Sequence, residues 1–249
     1  MPAPSEDALK YLSAYVVDNR CHLGIATDGD ADRLGVIDEN GRYLHANTLM
    51  LLLYYYFLAY KGWRGPCVRN NSTTHLLDRM AADFGQRCYE VPVGFKYVSA
   101  KMAETDALIG GESSGGMAVK GHIAGKDGIY GAALLVEMLA VTGKTVGQLC
   151  REIADRYGSV YYRENSCKMT AGRKKELEEL IFSRHQTPAF PETVMKTDWT
   201  DGCKIHFADG SWVICRFSGT EPLLRFAAEG NTPEQPEAYI QKWKSFLNL

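Results

Sequence analysis

Among the seven cysteines of this 249-residue chain there is no Cys-x-x-Cys pair, and an odd count leaves one without a partner. Cys21, Cys67, Cys88, Cys150, Cys167, Cys203 and Cys215 therefore read as reduced thiols of a cytoplasmic protein, not as a disulfide framework. A dominant charge is missing too. A net charge of −2 and a pI near 6.3 give no field for nucleic acid or an anionic membrane, so any anion must be caught by local geometry. No apolar run is long enough to span a bilayer; the longest, residues 49–60, carries four tyrosines. Met1-Pro2-Ala3-Pro4 has neither a basic nor an apolar leader region, and no signal peptide is expected. Repeats and low-complexity linkers are absent as well. What remains is an ordinary globular composition, 45% hydrophobic and 23% charged, sized for one large or two small domains.

Along the chain, Ser5 is placed to cap a helix reaching Val17, with Leu9, Leu12 and Val16 on one face. Two short β runs follow, 22–27 and 34–37, ending at the turn Glu39-Asn40-Gly41. Asn47 is expected to cap a helix over 48–60. Strands at 66–71, 87–91 and 107–110 then alternate with helices at 74–84 and 97–104, and two more helices are expected over 128–141 and 146–157. Such alternation predicts a parallel or mixed sheet flanked by helices. After about residue 160 the texture changes to a strand up to Met169, a charged helix over 173–184, hairpin-like runs turning at Asp201-Gly202 and Asp209-Gly210, and a last helix from near Pro233. The fold expected is an α/β domain with a mixed or parallel sheet, followed by a small α+β domain of antiparallel strands with two helices.

Three loops carry the chemistry. In Asp28-Gly29-Asp30-Ala31-Asp32-Arg33, carboxylates at alternate positions repel one another unless a cation sits among them. Oxygen donors with no Cys or His beside them point to a hard ion, Mg²⁺ ahead of Ca²⁺ or Mn²⁺. A solvated acidic turn is the plain alternative. An EF-hand loop is another, since Glu39 falls at position twelve, but position six is Arg33 and the flanks read as strands. Arg33 is placed either to meet a substrate phosphate or to hold the aspartates.

The second loop, residues 110–116, reads Gly-Gly-Glu-Ser-Ser-Gly-Gly. Its glycines let a ligand approach the backbone, while Glu112 and Ser114 offer a carboxylate and a hydroxyl suited to sugar hydroxyls. Lys96, His122 and Lys126 are nearby candidate cations. In the third loop, Arg216 and Arg225 bracket Ser218-Gly219-Thr220, whose N–H groups and hydroxyls can converge on one oxyanion.

Taken together and in this order, the three loops resemble the α-D-phosphohexomutase family, which includes phosphoglucomutase and phosphomannomutase. The resemblance implies that Asp28, Asp30 and Asp32 hold Mg²⁺ and that Arg33 is an active-site cation. It implies that Glu112 and Ser114 read the sugar, and that Arg216, Ser218, Gly219, Thr220 and Arg225 grip phosphate. Lys96, in a Gly-Phe-Lys context, matches a family lysine that meets the phosphosugar; His122 and Lys126-Asp127-Gly128 follow the family spacing more loosely. The implied reaction interconverts hexose 1-phosphate and hexose 6-phosphate through a phosphoserine and a hexose 1,6-bisphosphate, with glucose favoured over mannose.

One departure stands out. The family's Thr-Ala-Ser-His-Asn-Pro-type phosphoserine loop has no match here; Asn71-Ser72-Thr73-Thr74-His75 lacks Asn-Pro and follows the metal loop instead of preceding it. Ser113 also stands where relatives often carry Glu. The expectation is a C-terminal portion: residues 1–42 as a remnant of the second family domain with the metal loop, 43–158 as the sugar-recognition domain, and 159–249 as the phosphate-binding domain. Its partners would be the hexose phosphates and the missing N-terminal domains, with exposed strand edges favouring self-association such as a homodimer. The alternative is a non-catalytic sugar-phosphate binding protein.

Overall fold

The computed structural model describes residues 3–219 and 221–249. The chain divides into two compact units at Gly158/Ser159.

In the first unit, helix α1 (Lys10–Asp18) lies on an antiparallel sheet of β1 (Gly24–Thr27), β2 (Leu34–Ile37) and β3 (Tyr43–Leu44), in the order β1-β2-β3. Leu9, Val16 and Ile37 are buried between them. Gly35 permits the close fit, because a Cβ there would lie 2.6 Å from the Pro4 carbonyl and 2.8 Å from Leu9. Ser5 does not cap α1 directly. Its hydroxyl accepts from the N–H of Ala8 at 3.4 Å in a preceding turn, and the helix begins only at Lys10.

Helix α2 (Ala46–Tyr55) continues as a π-helical turn, Tyr56–Tyr60. Here the expected cap is corrected: His45 is the N-cap, accepting the N–H of Asn47 at 3.2 Å, while the side-chain amide of Asn47 is buried without a hydrogen-bond partner among the described residues. The apolar run with four tyrosines is the central core helix of this unit. It tolerates the phenols because their hydroxyls reach partners: Tyr54 to the Gly65 carbonyl at 3.0 Å, Tyr56 to Glu137 at 2.7 Å and Tyr60 to Glu152 at 2.8 Å.

Next come β4 (Cys67–Asn70), α3 (Leu76–Asp83), β5 (Cys88–Val91), α4 (Phe95–Thr105), β6 (Ile109–Gly111), β7 (Met117–Val119), α5 (Gly128–Thr142) and α6 (Val146–Tyr157). The sheet order is β5-β4-β6-β7; β4 runs parallel to β5 and β6, and β7 is antiparallel to β6. The chain leaves β4 toward one side and returns from β5 to the other. This makes the carboxyl end of β4 and β6 a topological switch point, where open α/β sheets place ligands. Among the described residues no single helix is long and apolar enough to cross a membrane.

The second unit is a five-stranded antiparallel sheet, ordered β8-β12-β11-β10-β9. Its elements are β8 (Tyr161–Lys168), α7 (Ala171–Glu178) with a π-helical turn Glu179–Ser183, β9 (Val194–Asp198), β10 (Cys203–Phe207), β11 (Trp212–Phe217), β12 (Leu223–Gly230) and α8 (Gln235–Leu247). Tyr239, Ile240, Trp243 and Leu247, at helical spacing on α8, pack with Leu177 and Ile181 onto Val213, Cys215, Leu224 and Phe226.

Candidate functional site

The Asp loop joins two strands whose antiparallel register pairs Thr27 with Leu34, so the loop is a tight hairpin end and not an EF-hand. Ala31 takes the left-handed conformation there, with φ of 58°. One carboxylate oxygen from each of Asp28, Asp30 and Asp32 lies within 4.8 Å of the others. At an effective dielectric of about 20, each such pair repels by about 3 kcal/mol or more. Part of that repulsion is relieved inside the protein. The buried Asp28 carboxylate accepts the N–H groups of Asp32 and Arg33, both at 3.1 Å, and the Arg33 guanidinium at 2.5 Å. Burial pushes the Asp28 carboxyl up, but the backbone N–H and guanidinium of Arg33 outweigh it and hold the group below its ordinary range. Arg33 also lies 3.5 Å from Asp32, and Lys126 is ion-paired to the other Asp32 oxygen. Three carboxylates against two cations still leave a negative charge. Asp32 Oδ1 is buried with no hydrogen-bond partner among the described residues, which suits a hard cation held by this donor set.

The glycine loop is built onto the Asp loop. Arg33 and Gly116 form an isolated antiparallel bridge, and Leu34 donates to the Gly115 carbonyl at 3.4 Å. Gly128 donates to the Ala31 carbonyl at 2.9 Å, and Asp127 to Met117 at 3.2 Å, so the segment before α5 closes the same cluster. A Cβ at Gly128 would stand 3.0 Å from two carbonyls of the Asp loop. Between β6 and β7, Glu112 is buried while Ser114 is exposed at the loop tip.

Lys96 stands exposed in the first turn of α4, its ammonium 4.9 Å from the Tyr97 ring centre. His122 pairs with Asp127 at 2.7 Å and stacks on Tyr130, with ring centres 4.0 Å apart. Asp127 also caps α5 by accepting from the N–H of Tyr130 at 2.9 Å. That bond, then His122, hold its carboxyl below the ordinary range.

In the second unit, β11 and β12 place Arg216 directly opposite Arg225. Like charges in register on one sheet face destabilise the pair unless anions answer them. Arg225 reaches Glu221 at 2.7 Å. Among the described residues the buried Arg216 Nε has no hydrogen bond, and it lies 3.5 Å from Asp201. Asp201 comes close because Gly202, with φ of 93°, lets its turn touch β11; a Cβ there would lie 2.6 Å from the Arg216 Cβ. The Ser218 N–H does not face outward as the anion-nest reading expects. It donates to the Leu223 carbonyl at 2.9 Å, which leaves its hydroxyl as the group it can offer. Gly219 is exposed at the hairpin end, and Thr220 lies outside the described residues.

The sequence reading missed Asn70, Gly94 and Asp201. Asn70 and Gly94 both contact Glu112, whereas Asp201 answers Arg216. Asn70 left little signal, since it follows Arg69 in a strand that is already half polar.

Comparison with known proteins matches three family models in series. Phosphoglucomutase/phosphomannomutase alpha/beta/alpha domain II matches residues 1–41, alpha/beta/alpha domain III residues 45–157, and the C-terminal domain residues 168–242. A phosphoglucomutase/phosphomannomutase of Thermococcus kodakarensis is 32% identical over 96% of this chain and 50% of its own length. A probable phosphoglucosamine mutase of Pyrococcus abyssi is 30% identical over 96% of this chain and 51% of its own. The crystal structure of a putative phosphomannomutase from Thermus thermophilus superposes with a TM-score of 0.81 at 28% identity, covering all of this chain and 51% of that one. This chain thus spans about half the length of the relatives it matches.

Proposed function

We propose, because the chain belongs to the phosphoglucomutase/phosphomannomutase family, that it supplies the cation, sugar and phosphate contacts for interconverting hexose 1-phosphate and hexose 6-phosphate. One observation carries this reading. The carboxylate cluster and the loop holding Glu112 are joined by the Arg33–Gly116 bridge, which supports reading them as cation and sugar contacts of one site.

In this reading Asp28, Asp30 and Asp32 hold Mg²⁺, and Asp32 Oδ1, buried and without a hydrogen bond among the described residues, supports the assignment. A bound Mg²⁺ would neutralise charge on the phosphoryl group in transfer. Arg33 keeps the loop in shape through Asp28. Arg216 and Arg225, aided by the hydroxyls of Ser218 and Thr220 and by Gly219, bind the phosphate that is not reacting. Such charge-assisted contacts contribute on the order of 1.5–3 kcal/mol each. Lys96 and His122 meet the phosphosugar, and Glu112 and Ser114 take its hydroxyls. Glucose phosphates are the favoured substrate, with mannose and glucosamine phosphates the nearest competitors; the Pyrococcus relative keeps the last in view.

The reaction also needs a phosphoserine, and the sequence of this chain carries no Thr-Ala-Ser-His-Asn-Pro loop. The isolated chain is therefore expected to bind hexose phosphate without turnover. Sustained glucose 6-phosphate formation from glucose 1-phosphate by the purified chain, in a coupled assay, would overturn that. The same absence favours a second reading, a sugar-phosphate binding protein with no catalytic role. Adding the N-terminal half of a family member separates the two: recovered turnover supports the mutase, and unchanged binding without turnover supports the binding protein.

A further inference from the structure

Glu112 is 8% exposed, and the two oxygens of its carboxylate are treated differently. Oε1 accepts from the Asn70 amide at 3.2 Å and from the Gly94 N–H at 2.9 Å. Oε2 takes no donor among the described residues. Asn70 is itself 2% exposed and sits at the last position of β4, at the switch point of the sheet. Its amide orientation is fixed by its neighbours. Oδ1 must be the acceptor, since it takes the N–H of Ser72 at 3.0 Å and the hydroxyl of Thr73 at 2.7 Å, which leaves Nδ2 facing Glu112. Gly94 has φ of 131°, a backbone that side chains with a Cβ rarely adopt.

We propose that Asn70 is the positioning residue for Glu112: with the Gly94 N–H it clamps one carboxylate oxygen, so that the other alone is presented to a sugar hydroxyl. An unclamped glutamate would rotate and offer either oxygen in several rotamers. The clamp makes the carboxylate a directional acceptor, which is what selection among hexoses differing at one carbon requires. The same oxygen ties together the loop after β4, the turn before α4 and the glycine loop. This assignment rests on the proposed function for its ligand, but not for its geometry.

Asn70→Asp isolates the role. It keeps the acceptor for Ser72 and Thr73 and puts a carboxylate oxygen in place of the donor facing Glu112, so that Oε1 is repelled where it was held. At pH 8, with amide signals showing a folded chain, the Gly94 amide proton is expected to shift upfield and exchange faster. By calorimetry, glucose 6-phosphate should bind about tenfold more weakly, while inorganic phosphate changes by less than about twofold. Asn70→Ala, which loses the loop bonds as well, should show at least the same Gly94 shift. A wild-type Gly94 amide in Asn70→Asp, with an effect seen only in Asn70→Ala, would confine Asn70 to its own loop and overturn the proposal. If Gly94 shifts as expected but the wild-type chain binds no hexose phosphate, the clamp stands and the hexose-phosphate reading falls.

Discussion

Asp28 and Asp198 are both held ionised below the ordinary carboxylate range, by different neighbours. At Asp198, the Lys196 ammonium, then the Thr200 hydroxyl and N–H, bring the pKa down to about 2 from 3.8. A carboxyl depressed in the folded state stabilises above its unfolded pKa, and that stability is lost as pH falls through the folded value. The shift corresponds to about 2 kcal/mol, but Lys196 is largely exposed and screening brings this to about 1 kcal/mol. Thermal melts should therefore show Asp198→Asn less stable than wild type at pH 5, with the difference vanishing near pH 2. Asp28 depends on Arg33 instead. Arg33→Ala leaves a buried carboxylate without its guanidinium and should cost about 2 kcal/mol in urea unfolding. Millimolar Mg²⁺ is expected to restore part of the loss; no gain with Mg²⁺ would count against the cation site. The two cases differ in how visible they are in the sequence. The Asp loop is legible because its charges fall at alternate positions within five residues, and spacing alone forces the question of a cation. The Glu112 clamp is not legible, because its donors lie 42 and 18 residues away along the chain.

At the scale of elements, α6 shows local signals working well. Thr145 accepts from the Gln148 N–H and the Gln148 side chain returns to the Thr145 N–H, a complete capping box; Val146, Leu149 and Ile153 form the buried stripe. Thr145→Ala should lower stability by about 1 kcal/mol, seen as a lower denaturant midpoint. A change under about 0.3 kcal/mol would show that packing, not the cap, sets this helix end. The start of α2 went the other way. Asn47 has the better capping side chain in isolation, but tertiary packing buries it and leaves the cap to His45, whose burial lowers its pKa to about 4. Strands β3 and β7, two and three residues long, are too short for any periodicity to register. Neither π-helical turn has a sequence signature, since each continues a helix by one turn with ordinary helix residues.

At the scale of the whole molecule, the mixed sheet, the antiparallel C-terminal sheet and the family were readable from the sequence, because three loops of rare composition occur in one order. Exposed strand edges were expected, but which strand forms an edge was not readable. Strand β1 is the outer strand of its sheet, with Ile25 and Ala26 partly exposed. Nearby on the chain, α1 presents Tyr11 at 92% and Tyr15 at 61% exposure. An unpaired edge beside exposed aromatics favours pairing with another chain. Light scattering is therefore expected to show mass rising with concentration, and a clean monomer at several hundred micromolar would set this aside.

The bridge between Arg33 and Gly116 reaches further than either loop's own contacts. The proposed cation and sugar seats, joined by this bridge, are expected to bind in a coupled way. Whatever factor a cation at the aspartates adds to sugar affinity, the sugar must return to the cation, since the cycle of binding steps closes. In the proposed reading the glycine loop would then act as a gauge of ionic occupancy, and free divalent cation would set how firmly a hexose is held.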